Sequence, residues 1–170
     1  MKKVIFLVFM SIIFVPNLFS QSDSICDIFP MKDGKVFYTN VIEVKNISAS
    51  QLYNGAKLWI GKTFVSSKSV IDSDVENNSL ILKGYIAIDE NTNINITLTL
   101  QFKDGKYKYE LTDITNEFSL RSVDITNTDP IEKMPFFVDC NNIKIANEYN
   151  EHILSLIYDL KKYQEQITNW

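Results

Sequence analysis

Between residues 94 and 102 apolar and polar side chains take turns without a break. Ile94, Ile96, Leu98, Leu100 and Phe102 alternate with Asn95, Thr97, Thr99 and Gln101. A β-strand sends successive side chains to opposite faces, so this run has one dry face and one wet face. Parallel sheets are covered on both sides, whereas antiparallel sheets commonly leave one side in water. The segment therefore demands an antiparallel layer with its dry side covered. Asp104-Gly105 follows, a pair that signals a type I′ hairpin when it lies between strands. Tyr107, Tyr109 and Leu111 continue the pattern on the return strand.

The other strand signals are weaker. From Lys35 the run KVFYTNVIEV is rich in β-branched and aromatic residues, with Tyr38, Ile42 and Val44 on one side and Phe37, Val41 and Glu43 on the other. Leu80 to Ile88 alternates again, and a short strand is expected around Val70 within the polar connection 66–78. Residues 115–142 hold Asn, Thr, Asp and two prolines, Pro130 and Pro135, and are expected to be an irregular connection, with a short strand near 136–138.

Two segments can cover the dry face. Ser48 with Gln51 three residues later makes a capping box, and Leu52, Ala56, Trp59, Ile60 and Thr63 follow at helical spacing. Gly55 and Gly61 weaken this helix slightly but permit close approach to a sheet. Residues 143–168 form the second helix. Ala146, Tyr149, Ile153, Leu156, Leu160, Tyr163 and Ile167 follow steps of three and four, a seam for packing on the sheet. A coiled-coil dimer is the alternative use of that seam, over only about three heptads.

The N-terminus differs from the rest. Lys2 and Lys3 precede an apolar run from Val4 to Val15, and Pro16-Asn17 ends it before Leu18-Phe19-Ser20. Basic, apolar and small in that order is a secretory signal peptide, expected over residues 1–20. An apolar run of about twelve residues is too short to cross a bilayer as a helix. Cys26 comes too late after the run to be a lipidation site. A leader at 21–34 and a single α+β domain at 35–170 complete the expected organisation. Periplasm or secretion is the expected destination, with no stable membrane span after cleavage.

The chain of 170 residues carries 17 Lys+Arg and 21 Asp+Glu. Loss of Lys2 and Lys3 leaves 15 basic against 21 acidic residues, a net charge of −6. Such a domain is a poor match for nucleic acid, whose backbone calls for clustered Lys and Arg. Cys26 and Cys140 are a candidate disulfide that would staple the two ends of the domain, or two separate thiols; spacing alone does not decide.

Few residues offer chemistry. The single histidine, His152, lies on the last helix off its apolar seam. With one His and two distant Cys no zinc set can be written. Asp72-Ser73-Asp74-Val75-Glu76 opens like a calcium loop, but Asn77 and Lys83 stand where that loop needs Gly and Glu. Asn95-Ile96-Thr97 fits a glycosylation pattern and is accounted for by strand alternation. No catalytic residues and no cofactor are expected.

One surface remains. With both helices on one face, the other face shows Phe37, Thr39, Lys83, Tyr85, Thr97, Thr99, Gln101, Lys108 and Glu110. Aromatic, hydroxyl and charged groups mixed in this way fit a protein or glycan partner. They also fit the plain wetted side of an antiparallel sheet. A non-enzymatic domain binding such a partner is the expected function. The alternatives are a carboxylate hydrolase in a cleft between the last helix and residues 115–142, and a structural protein dimerising by that helix.

The order strand, helix, several antiparallel strands, helix resembles a bacterial family of exported domains of unknown function with a TATA-binding-protein-like (TBP-like) fold. The stretches that carry the resemblance are VIEVKNISASQLYNGAKLWIGKTF, the Lys83-Gly84 strand, the hairpin FKDGKYKYELTDI, and Pro130-Ile131-Glu132 before the last helix. It implies a β-α-β-β-β-β-α domain, with about four to five antiparallel strands and two helices on one face. It assigns no functional residue.

Overall fold

In the computed structural model the alternating segment is the middle of a sheet. Residues 28–64, 70–74, 78–120, 125–134 and 142–167 are described. The strands are β1 (Met31–Lys32), β2 (Lys35–Val36), β3 (Tyr38–Glu43), β4 (Val70–Asp74), β5 (Ser79–Ala87), β6 (Thr92–Lys103), β7 (Lys106–Leu120) and β8 (Ile125–Pro130). The helices are α1 (Ala49–Thr63) and α2 (Ile143–Gln166), with a 3-10 turn at Ile131–Lys133.

The main sheet is antiparallel in the order β3-β7-β6-β5-β4. β3 pairs with residues 106–111 of β7, and β8 pairs with residues 115–120. β6 holds the other edge of β7, so β3 and β8 lie end to end along one edge. Ile94, Ile96, Leu98, Leu100 and Phe102 are all buried, and Tyr107, Tyr109, Leu111 and Ile114 join them from β7. This is the expected α+β layer, with one strand more than the four to five expected.

Both helices cover that dry face. α1 starts at Ser48, whose hydroxyl accepts from the Gln51 backbone N–H, and Gln51 completes the capping box from its side chain. Leu52, Tyr53, Ala56, Trp59 and Ile60 point inward, and Tyr53 meets Phe102 edge to face at 5.9 Å. α2 buries Ala146, Tyr149, Ile153, Leu156 and Leu160. Its seam is therefore consumed within the chain, and polar contacts fix its register. Tyr149 donates to Asn116 Oδ1 (2.8 Å), and Tyr38 donates to Asn150 Oδ1 (2.7 Å). Trp59 donates to Asp159 Oδ2 (2.8 Å), and Gln164 donates to the Leu52 carbonyl (3.1 Å). Close approach at Gly55 is to α2 rather than to the sheet.

Four expectations need correction. The leader at 21–34 is not loose at its C-terminal end. Phe29 is fully buried, and Met31–Val36 form a two-residue hairpin in which Asp33 (φ 53°) and Gly34 (φ 73°) are both left-handed. That is the type I′ geometry that Asp-Gly favours. Conversely, at the main hairpin only Gly105 is left-handed (φ 75°). The Asp104 carboxylate instead accepts from the Ala49 N–H at the start of α1 (2.8 Å), and the Gly105 N–H donates to the Ile47 carbonyl. Tertiary bonds to a helix start, where an anion is favoured, override the local turn preference.

The third correction concerns residues 115–142. Strand β7 runs on to Leu120, and β8 returns from Ile125 to Pro130. Polar Asn, Thr and Asp there are strand residues, tolerated because they are paired along the ladder and mostly wet. Finally, the strand expected from Lys35 is broken at Phe37, where the chain passes from the small hairpin to β3. Residues 1–27, 135–141 and 168–170 lie outside the described residues. So do the signal peptide, Cys26, Cys140 and the short strand expected near 136–138.

Candidate functional site

The wet residues fall into rows across the sheet because adjacent strands are in register. Val41, Lys108, Gln101 and Ser79 are successive partners, and Thr39, Glu110, Thr99 and Ile81 form the next row. Thr97 pairs with Thr112 on one side and Lys83 on the other; Asn95 pairs with Thr115 and Tyr85. Eight of the nine expected residues thus share one face: Thr39, Lys83, Tyr85, Thr97, Thr99, Gln101, Lys108 and Glu110. Phe37 is set apart at the rim. It is half-buried outside any strand, and the Lys32 ammonium lies 4.8 Å from its ring centroid.

The face is polar and partly self-satisfied. Lys108 and Glu110 form an ion pair at 2.6 Å, and the Thr39 hydroxyl donates to the Tyr109 carbonyl at 2.9 Å. Asn95 Nδ2 donates to Thr115 Oγ1 (3.4 Å) and Glu117 Oε2 (3.2 Å). The groups with raised pKa lie on the opposite side. Burial pushes the phenols of Tyr38, Tyr107, Tyr109 and Tyr149 upward, with smaller charge effects at Tyr107 and Tyr149.

Two shallow depressions mark the face. One, of about 210 Å³, lies at the hairpin end and is lined by Val41, Gln101 and three lysines, Lys103, Lys106 and Lys108. The other, of about 330 Å³, is lined by Lys83, Gly84, Tyr85, Asn95, Ile96, Thr97 and Asp113. Asp113 reaches it through a β-bulge. Asn95 pairs with Thr115 but Thr97 with Thr112, so β7 carries an extra residue there, and Asp113 is left-handed (φ 49°). Bulges re-aim side chains in this way.

Sequence reasoning missed Asp113, Val41, Lys103 and Lys106 as members of this surface. A signal for Asp113 was present. Tyr107, Tyr109 and Leu111 are two apart, but the next buried apolar residue, Ile114, is three further on. That slip of one residue in an alternating strand is the mark of a bulge.

Elsewhere the chemistry is sparse. Among the described residues no group of three or more His, Cys, Asp or Glu converges to hold a metal ion. Asp72, Ser73 and Asp74 of the calcium-like stretch belong to strand β4. His152 is half-buried, on a face of α2 shared with Lys144, Glu148 and Glu151. In the region where a hydrolase cleft was the alternative, Tyr149 of α2 donates to Asn116 of β7. Among the described residues no helix is long and apolar enough to cross a membrane.

A sheet with one open face and both helices on the other defines an α+β domain of TBP-like architecture. Residues 38–117 match the family described as a domain of unknown function (DUF4468) with TBP-like fold, which bears out the family and fold of the resemblance drawn from the sequence. A crystal structure of a TBP-like protein from Parabacteroides distasonis is similar, with TM-score 0.65 and 19% identity, over 81% of this chain and 97% of that one. A DUF4468 family protein from Bacteroides ovatus has TM-score 0.61 and 18% identity, over 81% of this chain and 90% of that one. At these identities the likeness is one of fold. No curated protein matches the sequence.

Proposed function

We propose that the chain is an exported, non-enzymatic domain that binds a partner through its open sheet face. The observation that carries this is the layout of that face. Eight of the nine residues expected there stand on it in register, and the helices pack on the other side. A surface with aromatic, hydroxyl and charged groups presents anchors and hydrogen-bonding groups together. Export rests on the basic, apolar and small order of residues 1–20.

The test is capture from the envelope fraction of the host cell by the full chain immobilised through its C-terminus. Thr99→Arg places a bulky charge in the middle of the face, and Leu154→Ser alters the outer side of α2. A ligand, identified by mass spectrometry, lost with Thr99→Arg and kept with Leu154→Ser is the expected result. Equal capture by both variants sinks the proposal. Intact mass of the protein recovered from cells checks export, with an N-terminus at Gln21 expected.

A further inference from the structure

The second depression on the open face has the chemistry of a sugar subsite, and we infer that it takes a neutral pyranose unit of a glycan. This deepens the open-face proposal and rests on it. Tyr85 supplies a half-buried ring, and among the described residues it makes no ring contact or hydrogen bond of its own. A pyranose offers an apolar C–H face to such a ring and hydroxyls around its edge. Those hydroxyls need acceptors and donors held in fixed positions.

Asn95 is held that way. Both hydrogens of its amide point to Thr115 Oγ1 and Glu117 Oε2, which leaves its Oδ1 as an acceptor on the other side of the amide. Asp113 is exposed and adds a carboxylate, which can accept from two hydroxyls at once. Lys83 donates, and the Thr97 hydroxyl can do either.

Charge decides which sugar. Lys83 and Asp113 are the two charged side chains of the lining, and no ion pair between them is formed. With the Glu117 carboxylate held on Asn95 beside them, the described charges around the depression sum to one negative. A uronic acid would gain from Lys83 and lose to Asp113, whereas an uncharged ring uses both as hydrogen-bonding partners. The hairpin-end depression, with its three lysines, carries the opposite sign.

The bulge is what brings the Asp113 carboxylate to the depression. Asp113 holds a left-handed backbone that a non-glycine residue adopts at a cost. Glycine would fill that conformation more easily, yet the position carries a carboxylate that lines the depression.

Saturation-transfer NMR on the full chain tests the assignment. The probes are the methyl pyranosides of glucose, galactose and mannose, N-acetylglucosamine, and methyl glucuronide as the charged control. Transfer to at least one neutral probe is expected, weaker transfer to the glucuronide, and loss with Tyr85→Ala. Asp113→Gly keeps the bulge and removes the carboxylate, so about tenfold weaker binding is expected without loss of fold. Leu154→Ser, on the outer side of α2 and away from the sheet face, leaves binding unchanged. Absence of transfer to every neutral probe overturns the inference, as does transfer indifferent to both Tyr85→Ala and Asp113→Gly. If sugars fail while capture still depends on Thr99, the sugar subsite falls and the open-face proposal stands. If both fail, both fall.

Discussion

Gly55 sits where the two helices meet. A Cβ built there would clash with Ile167 Cδ1 and lie 3.1 Å from Gln164 Oε1. Alanine would normally favour a helix over glycine by up to about 1 kcal/mol. Here the Ile167 and Gln164 side chains would have to shift, and Gln164 holds the Leu52 carbonyl. Overpacking of this kind costs about 1–3 kcal/mol. Gly55→Ala is therefore expected to destabilise by about 1–2 kcal/mol in urea unfolding. A gain in stability would show that Ile167 simply swings aside. The buried tyrosines give a pH dependence at the same scale. Burial raises the phenols of Tyr38 and Tyr107, so in the folded state they stay neutral beyond their ordinary value of 10.0. In the unfolded chain they ionise near that value. Their contribution is present in full below pH 10 and is lost as pH climbs from there toward the raised values. Each such group steepens the loss by about 1.4 kcal/mol per pH unit. Urea midpoints compared between pH 8 and 11 should fall less steeply in Tyr38→Phe than in the parent. Equal slopes would mean that Tyr38 ionises in place.

At the scale of elements, local signals held wherever no tertiary bond competed with them. Ser48 and Gln51 form the box that their spacing announces, while Asp104 serves the same helix start from fifty-five positions further along the chain than Ala49. Removing the local cap with Ser48→Ala should cost about 1 kcal/mol, visible as a lower urea midpoint with unchanged slope. Asp104→Ala should cost a similar amount if its bond to Ala49 matters, and nothing if water replaces it. The same competition explains what was not legible. A long-range bond to Ala49 changes the Asp104-Gly105 turn, and no pattern within the hairpin encodes that bond. Strand β8 has polar Thr126, Asn127, Thr128 and Asp129 in exposed positions, so no alternation marks it. Its pairing with β7 is what makes it a strand. The Asp33-Gly34 hairpin was legible, by the turn signal applied correctly to Asp104-Gly105; its two-residue strands are too short for periodicity to support it.

The whole molecule is organised by the division between the two faces of the sheet, and that division was written in residues 94–102. The dry residues are spaced by two because every one of them is buried in the core, a constraint repeated at each position. The depression beside Tyr85 depends on a single bulge, stated once by the step from Leu111 to Ile114, and so leaves far less trace. The two faces should respond differently to matched changes at adjacent positions. Leu98 is 2% exposed, and Leu98→Ala removes buried methyl groups and leaves a cavity among packed neighbours. A loss of about 2–5 kcal/mol is expected. Thr99, one residue on, is half-exposed beside Ile81 and Glu110. Thr99→Val keeps the β-branched shape and should change stability by no more than about 0.5 kcal/mol. A large loss at Thr99 would mean that the wet face is covered in the folded protein. The surface offered to a partner would then be occupied by the chain itself.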